Sequence, residues 1–356
     1  MIAFFVVLLV VCLAVEALSL RHALDGIEYD CRISQSMAEP EEPLELITVI
    51  TNRKRRFVPF LRLVEDVPDC FTCAQELETA SVTEKRGALR SSVYMMPRQR
   101  MTRRTRFCLP KRGRYLFQGA ELSGGDFLGF CERGRRVDLL REVVILPPKL
   151  ETDAVRALPG GLLGDVSVNR FIHEDPMLTL GFREYTGREP MKRISWTQSA
   201  RAGQWMVKNL DHTMERTATV MLNLDTFAFS RYGDELIEKS FSLARSVCEA
   251  LEEARIPYAF LTNARLAGGN GLTGEVGDGL GDAHLKPILE GLGRATYDKT
   301  SRAWSLIDRA SRMSDAGRSH IVITPMGNDL QDAGLEKLTE RTGEPPRVLV
   351  AMEVCP

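Results

Sequence analysis

The sequence predicts three structural parts in order: an N-terminal transmembrane helix, a β-sandwich, and an α/β domain with a mainly parallel sheet. A long apolar run near the start predicts the helix. Short alternating runs with turn residues between them predict the sandwich. Strand-like and helix-like segments that alternate in the last part of the chain predict the α/β sheet. With 356 residues, the chain is long enough for two domains that each bury a core.

Residues 1–22 are interpreted as a membrane anchor. Residues 2–20 are apolar except for Ser19 and the charged Glu16, and a run of this length suffices for a helix that crosses a bilayer. A signal peptide would have a basic residue before its apolar run. This run has none, so an anchor is favoured over a cleaved signal peptide. Arg21 and the basic cluster 53–56 follow the run, which places the folded part in the cytoplasm of a single-pass protein in the cell membrane.

Residues 26–148 are predicted to form the sandwich. In the segments 44–50, 57–64 and 91–95, apolar and polar residues alternate or cluster as they do in half-buried strands. Eight basic residues lie between Arg98 and Arg114. This basic run is interpreted as a solvated sheet edge, with a nucleic-acid-binding stripe as the alternative. The formal net charge is -1, so no global field attracts nucleic acid and no such partner is expected.

Residues 149–180 contain several glycines and predict a connector, and the α/β domain is expected at 217–356. Its four predicted strands are 217–225, 257–262, 321–324 and 348–352. Helical spacing of apolar residues lies between them. Such alternation predicts a parallel sheet that is covered on both faces.

A segment at 181–216 separates the two domains and is dense in arginine and aromatic residues. It carries Arg-x-Tyr-x-Gly at 183–187, Arg-Ile-Ser-Trp at 193–196 and Ser-Ala-Arg at 199–201. Guanidinium groups hold carboxylates and carbonyls through a planar fork, so the segment predicts a polar network that locks two parts of the protein together. The residues assigned to this interdomain network are Arg183, Tyr185, Gly187, Arg193, Trp196, Ser199 and Arg201.

These three motifs, in this order, resemble the signature of the domain-of-unknown-function 58 (DUF58) family. The resemblance implies that a von Willebrand factor A-like, Rossmann-like domain follows the signature. It also implies a partner, a MoxR-type AAA+ ATPase, and a role in the assembly or maturation of another complex. This chain reads Gly187-Arg188-Glu189 where many relatives have Gly-Asp after the tyrosine.

The resemblance further implies a Mg²⁺ site of the Asp-x-Ser-x-Ser kind after the first strand of the α/β domain. Asp225 is present, but Phe227 and Phe229 replace the two serines, so the site is degenerate and no cofactor is assigned. The alternative role for Asp225 is to cap a helix or to accept hydrogen bonds from loop amides.

Ligands of open parallel sheets collect at the carboxyl ends of the strands, which predicts a docking edge there. The residues assigned to this edge are Asp225, Asp278, Asp282, Thr324 and Asp329. Residues 269–274 match Gly-x-Gly-x-x-Gly, a weak nucleotide-binding signal. Carboxylates follow this match and would repel phosphate, so the segment is interpreted as a mobile loop.

Three functions are compatible with these patterns. The preferred hypothesis is a membrane-anchored, non-catalytic adaptor protein that works with the ATPase. The first alternative is a metal- or nucleotide-dependent hydrolase that uses Asp225 and the segment 268–282. The second is a secreted adhesion protein. The eight cysteines are scattered, which favours a reducing compartment, and the close pair Cys70 and Cys73 is interpreted as structural thiols.

Overall fold

A computed structural model describes residues 20–73, 83–85, 87–125, 131–163, 179–185, 191, 194–210, 217–226, 233–268, 274–315, 317–330 and 334–354. The first half of this chain consists of strands. They are β1 (Ile27–Ile33), β2 (Met37–Ala38), β3 (Leu44–Asn52), β4 (Val58–Asp66), β5 (Thr72–Cys73), β6 (Thr83–Lys85), β7 (Ala88–Met95), β8 (Arg100–Cys108), β9 (Gly113–Gly125) and β10 (Glu132–Ile145).

These ten strands form a sandwich of two sheets. One sheet has the order β1-β3-β8-β5 and the other β2-β10-β9-β4-β7-β6. In β3, buried and half-buried residues alternate along the whole strand, because successive side chains of a strand point to opposite faces. Side chains from both sheets form two buried apolar clusters, one around Phe107 and the other around Leu61.

The long hairpin of β9 and β10 contains a bulge that needs a glycine. The register of the two strands shifts between Asp138 and Arg141. Opposite this shift, Gly119 has a φ of +111°, and a Cβ atom on it would lie 2.1 Å from the carbonyl oxygen of Val137. Any other residue would therefore force the two backbones apart.

The second half of the chain mixes helices and strands. They are α1 (Asp153–Leu163), β11 (Thr179–Glu184), α2 (Trp196–Ala202), β12 (Met206–Leu210), β13 (Thr217–Leu222), α3 (Gly233–Glu253), β14 (Tyr258–Thr262), β15 (Ala264–Leu266), β16 (Glu275–Gly279), α4 (Asp282–Arg294), β17 (Ala295–Lys299), α5 (Ala303–Arg312), β18 (Arg318–Thr324), a 3-10 helix (Gly327–Leu330), α6 (Glu336–Thr342), β19 (Arg347–Val350) and α7 (Ala351–Val354).

The main sheet of this half, which we call the C-terminal sheet, has the order β16-β14-β13-β18-β19. Strands β14, β13, β18 and β19 are parallel to one another, and β16 is antiparallel to β14. Helices α3 and α4 contribute to the core on one face, and helices α5 and α6 contribute to the core on the other. Two small antiparallel sheets, β11-β12 and β15-β17, accompany it.

The predicted fold class is wrong. Among the described residues, strand predominates over helix, 43% against 29%. The C-terminal sheet is mixed and does not have the von Willebrand A-like, Rossmann-like architecture. Directly after the glycine-rich match, residues 275–279 form β16, and Val276 of this strand packs against the apolar core. Sequence alternation detected the neighbouring strands but not this short antiparallel one.

The predicted transmembrane helix falls on residues 2–20, of which only Leu20 is described. Within the described ranges, no helix is long and apolar enough to cross a bilayer.

Burial of His320 in β18 predicts acid sensitivity. His320 is 2% exposed, and burial together with the charge of Arg318 lowers its pKa to about 4. The unfolded chain takes up a proton near pH 6.5, whereas the folded chain does so only near pH 4. The contribution of neutral His320 to the free energy of unfolding should therefore be fully present above about pH 6.5. The free energy of unfolding should fall by about 3 kcal/mol as the pH drops to about 4.

Urea unfolding at several pH values checks this expectation. His320→Gln should flatten the pH profile between those limits, and His22→Gln, at an exposed histidine, should leave it unchanged. If the pH profile of stability is the same in His320→Gln as in the natural chain, the pH dependence does not come from His320.

Candidate functional site

The carboxyl ends of three parallel strands meet in a network of buried amides and hydroxyls. The Nδ2 of Asn263 donates to Oδ1 of Asn223 at 2.9 Å and to the carbonyl of Ser301 at 3.0 Å. Asn263 Oδ1 accepts from the backbone N–H of Leu224 at 2.7 Å, and Asn223 Nδ2 donates to Thr324 Oγ1 at 3.3 Å. Most polar groups of this carboxyl edge thus satisfy one another, which fixes its shape.

Asp225 lies at this edge as one of its half-buried groups. One carboxylate oxygen binds the ammonium of Lys299, and the other accepts the backbone N–H of Ala303 at 3.1 Å. Burial alone would raise the pKa of Asp225, but the Lys299 ammonium and the Ala303 N–H outweigh it and hold the pKa below its usual value. Asp225 therefore caps helix α5.

This arrangement does not fit a divalent cation at Asp225. An ammonium group already occupies the position beside the carboxylate. Within the residues that the structure describes, no group of three or more His, Cys, Asp or Glu side chains could hold a metal ion. Phe227 and Phe229 of the degenerate motif lie outside the described residues.

Large side chains are exposed where α5 begins beside Asp225. Trp304, the second residue of α5, is 58% exposed, and Tyr297 in β17 is 48% exposed. Arg302, which directly precedes α5, is also exposed. Tryptophan, tyrosine and arginine are the residue types that most often dominate the binding energy of protein interfaces. The carboxyl edge thus combines a fixed polar floor with exposed anchor-type side chains.

The structure divides the predicted docking edge between two ends of the C-terminal sheet. Asp225 and Thr324 lie at the carboxyl edge, together with buried Asp329, whose carboxylate accepts the backbone N–H of Met326 at 3.1 Å. Asp278 lies at the opposite, amino edge, because antiparallel β16 places Gly279 beside Tyr258, the first residue of β14.

Two acidic residues that were assigned to the docking edge, Asp278 and Asp282, therefore lie at the amino edge. Asp278 receives two hydrogen bonds from Arg318, at 2.8 and 2.6 Å, at the start of β18. Asp282 is exposed at the start of α4, which follows the turn after β16. The sequence prediction failed here because it took the whole segment after β14 to stay at the carboxyl edge.

The glycine-rich segment is described only in part. Residues 269–273 lie outside the described residues. Gly268 precedes them, and Gly274 accepts the backbone N–H of Thr262 at 2.7 Å, directly before β16. Glu275 pairs with Arg309 of helix α5. The carboxylate that was predicted to repel phosphate is therefore part of an ion pair.

The described signature residues form a local unit of β11, α2 and β12. The ring of Trp205 lies 5.5 Å from that of Tyr185 and 6.5 Å from that of Trp196. The Ser199 hydroxyl donates to the carbonyl of Ser195 at 2.8 Å and accepts the N–H of Met206 at 2.8 Å. These contacts join α2 to β12.

The remaining signature residues add no described interdomain contact. Arg183 is in β11, Arg201 is exposed in α2, and Gly187 and Arg193 lie outside the described residues.

Sequence reasoning missed three buried arginines that join the sandwich to the C-terminal sheet and its helices. The first is Arg245 of α3, whose side chain is 2% exposed. It donates to both carboxylate oxygens of Glu39 and to the carbonyl of Pro147, each at 2.5 Å, and to Glu249 at 2.9 Å. Glu39 and Pro147 flank the sandwich, so the guanidinium connects the two halves directly.

The second is Arg112, in the loop between β8 and β9. It donates to both oxygens of Glu238, at 2.9 and 2.7 Å, and to the carbonyls of Leu292 and Ala295, at 2.6 and 2.7 Å. Its guanidinium lies 3.8 Å from the ring centre of Phe241, within the range of a cation–π contact.

The third is Arg294, at the end of α4, which pairs with Glu142 of β10 and with Glu290. The two halves pack closely here, since a Cβ atom on Gly293 would lie 2.4 Å from Cγ1 of Val144 and 3.0 Å from the carbonyl oxygen of Ile145. Arg114 also binds Glu142, at 2.8 Å. We call the contacts of Arg112, Arg245 and Arg294 the arginine clamp.

The sequence contained a signal for one of the three arginines of the clamp. Arg245 follows Phe241 by four residues and precedes Cys248 by three, so it lies on the apolar stripe of α3. A charged residue on such a stripe must be paired to be buried. Arg112, by contrast, lay in the basic run and could not be distinguished from its exposed neighbours.

The basic run lies largely on strand β8, which pairs with β3 along its length but with β5 only at Phe107 and Cys108. Among the described residues, β8 therefore has a single neighbouring strand from Arg100 to Arg106. Arg103 within it points into the sandwich, where it pairs with buried Glu65. Arg104 and Arg106 are exposed and both pair with Glu45.

The cysteine prediction concerns Cys70 and Cys73. Cys70 is a free thiol, and the side chain of Cys73 lies outside the described residues.

No family model matches the chain, and no curated protein matches it. Among solved structures, the CARDB domain of a Pyrococcus furiosus protein in complex with di-metal ions is 11% identical, with a TM-score of 0.22, over 34% of this chain and 90% of that chain. The type II cohesin dyad of the adaptor ScaA scaffoldin from Acetivibrio cellulolyticus is 12% identical, with a TM-score of 0.24, over 33% of this chain and 47% of that chain.

Native alpha-2-macroglobulin from Escherichia coli is 10% identical, with a TM-score of 0.26, over 34% of this chain and 23% of that chain. TM-scores of this size carry no argument about function. None of these three is a DUF58 or von Willebrand A protein. The DUF58 resemblance remains a prediction from the signature motifs.

Proposed function

We propose that the protein is a non-catalytic adaptor that binds a protein partner at its carboxyl edge. The observation that carries the proposal is the exposure of Trp304 beside a polar network whose groups already bind one another. A binding hot spot usually has an anchor side chain that becomes buried by the partner within a ring of contacts that exclude water. A reaction centre would instead need a polar group directed at a substrate.

The arginine clamp supports the same function. It ties the sandwich to the C-terminal sheet through bidentate contacts of Arg245 and Arg112. A preorganised surface loses little conformational entropy when a partner binds. The two halves would thus be presented to the partner as one body.

The partner that we propose is a MoxR-type AAA+ ATPase, in keeping with the resemblance of the signature motifs. The test is a pull-down with the full chain as bait, with and without ATP, in which mass spectrometry identifies the retained ATPase. Retention that depends on nucleotide would support this partner, and its absence in both conditions would exclude it.

A second prediction tests whether the ATPase binds at Trp304. Trp304→Ala should weaken retention of the ATPase about 30-fold, since a hot-spot truncation costs about 2 kcal/mol or more. Trp196→Ala, at a tryptophan of similar exposure in the signature unit, is the matched control and should retain the ATPase as the natural chain does. Equal retention by both variants would place the site elsewhere.

A further inference from the structure

One end of the sandwich carries a concentration of arginine and aromatic residues that the proposed function does not use. Strand β3 ends there and β4 begins, and β7 ends there and β8 begins. We call the loops 53–57 and 96–99, together with Tyr94 and Arg100, the basic tip. The opposite ends of the same strands lie near Glu39 and Arg112 of the arginine clamp, so a nine-residue strand, about 30 Å long, separates the basic tip from that interface.

The basic tip is a preformed surface. Asn52, which is fully buried, donates from Nδ2 to the carbonyl of Arg56 at 3.1 Å and to the carbonyl of Met96 at 2.9 Å. The backbone N–H of Arg98 donates to the carbonyl of Lys54 at 2.9 Å. These bonds cross-link the two loops.

The charge of the basic tip is positive and largely unneutralised. Its exposed arginines are Arg53, Arg55, Arg56, Arg98 and Arg100. Arg53 pairs with Glu28 at 2.7 Å. For the other four, no carboxylate of the described chain lies within ion-pair distance. Several exposed arginines elsewhere on the sandwich pair with carboxylates, such as Arg62 with Glu132 and Arg136 with Asp66.

Apolar side chains are exposed among these arginines. Tyr94 is 64% exposed, Met96 53% and Phe57 38%. The rings of Phe57 and Tyr94 lie 6.4 Å apart. A surface that combines cations with protruding apolar groups suits a partner with a negatively charged outer layer and an apolar layer beneath it.

The path of the chain selects the kind of partner. Lys54 Nζ donates to the carbonyls of His22 and Ala23, at 2.8 and 2.6 Å, so the polypeptide enters the sandwich at the basic tip. The sequence that precedes Leu20 is the apolar run. Apolar sequence and a cationic, aromatic surface therefore meet at the same end of the protein.

We propose that the basic tip binds the surface of a lipid bilayer that contains anionic phospholipids. Arg55, Arg56, Arg98 and Arg100 contact the phosphates, because an anionic surface attracts basic residues that lie near it. Phe57, Tyr94 and Met96 lie at the boundary of headgroups and acyl chains. The proposal rests on the basic tip and on the entry of the chain beside it, and it is independent of the proposed adaptor function.

Trypsin supplies the test, because it cuts after the arginines in question. The full chain is reconstituted with vesicles of phosphatidylcholine, alone or with added phosphatidylglycerol, and the initial rate of cutting after Arg55 and Arg56 is measured. We expect anionic vesicles to slow this cutting about tenfold or more at low salt, and high salt to remove the effect. Cutting after Arg255, an exposed turn residue of the other half, is the internal reference and should not change.

Two charge variants localise the effect. Arg98→Gln combined with Arg100→Gln should abolish most of the protection at Arg55 and Arg56. Arg104→Gln combined with Arg106→Gln removes the same charge further along β8 and should preserve it. Equal rates in neutral and anionic vesicles would overturn the proposal. Protection by polyglutamate or by a single-stranded oligonucleotide, but not by the vesicles, would assign the basic tip to another polyanion and would also overturn it.

Discussion

Glu65→Gln should lower the free energy of unfolding by about 3 to 5 kcal/mol, because it leaves the charge of Arg103 uncompensated inside the sandwich. Glu65 is 1% exposed. Its carboxylate binds the Arg103 guanidinium and accepts hydrogen bonds from Thr48 at 2.5 Å and Tyr29 at 3.0 Å. Glutamine preserves the shape of the side chain, so the decrease in the free energy of unfolding measures the effect of removing the carboxylate charge.

Urea unfolding followed by two probes measures this effect. All three tryptophans, at positions 196, 205 and 304, lie outside the sandwich, so their fluorescence reports the other half of the chain. Circular dichroism reports both halves. In Glu65→Gln we expect the transition seen by circular dichroism to begin at lower urea than the transition seen by fluorescence.

Two further variants separate charge from packing. Glu65→Leu combined with Arg103→Met replaces the ion pair by apolar groups and should recover most of the lost stability. Glu45→Gln removes a carboxylate that pairs with Arg104 and Arg106 on the outer face and should cost less than about 1 kcal/mol. A cost for Glu65→Gln as small as that for Glu45→Gln would contradict the assignment of a buried ion pair.

The sequence indicated individual elements better than the arrangement between them. Apolar runs marked β13, β14 and β18, because each buries nearly every side chain. The apolar run at β19 ends in the buried residues Leu349 and Val350. Strand β16 carries glycine and acidic residues and is mostly exposed, so its sequence resembles a loop. Its direction, and hence the position of Asp278, depends on tertiary pairing with β14 that no local pattern records.

The interdomain contacts were harder still to predict. Tyr185 and Trp196 belong to a segment whose arginines and aromatic residues predicted an interdomain network, yet their described contacts are local. The residues of the arginine clamp are far apart in sequence, as Glu39 and Arg245 show. Only the folded chain reveals that a surface carboxylate on one half faces a buried guanidinium on the other. Composition can thus predict that an arginine needs a partner but not which one.

Arg245→Ala should uncouple the two halves of the protein and cost about 3 to 5 kcal/mol. The substitution removes contacts to Glu39, Pro147 and Glu249 and leaves a cavity beside a buried carbonyl. We expect the coincident unfolding transition of the natural chain to split into two, with circular dichroism and tryptophan fluorescence no longer superimposed. Trypsin should also cut faster after Lys149, which lies at the junction of the two halves.

The size of this effect depends on the planar fork of arginine as well as on its charge. Arg245→Lys keeps the charge but cannot hold Glu39 through two parallel bonds, so it should restore only part of the stability. Lys149→Met is the matched control, since Lys149 pairs with the same Glu249 but is 61% exposed. Its cost should stay below about 1 kcal/mol. If Arg245→Ala unfolds in one coincident transition at the urea midpoint of the natural chain, the clamp does not couple the two halves, and the adaptor must present them as independent bodies.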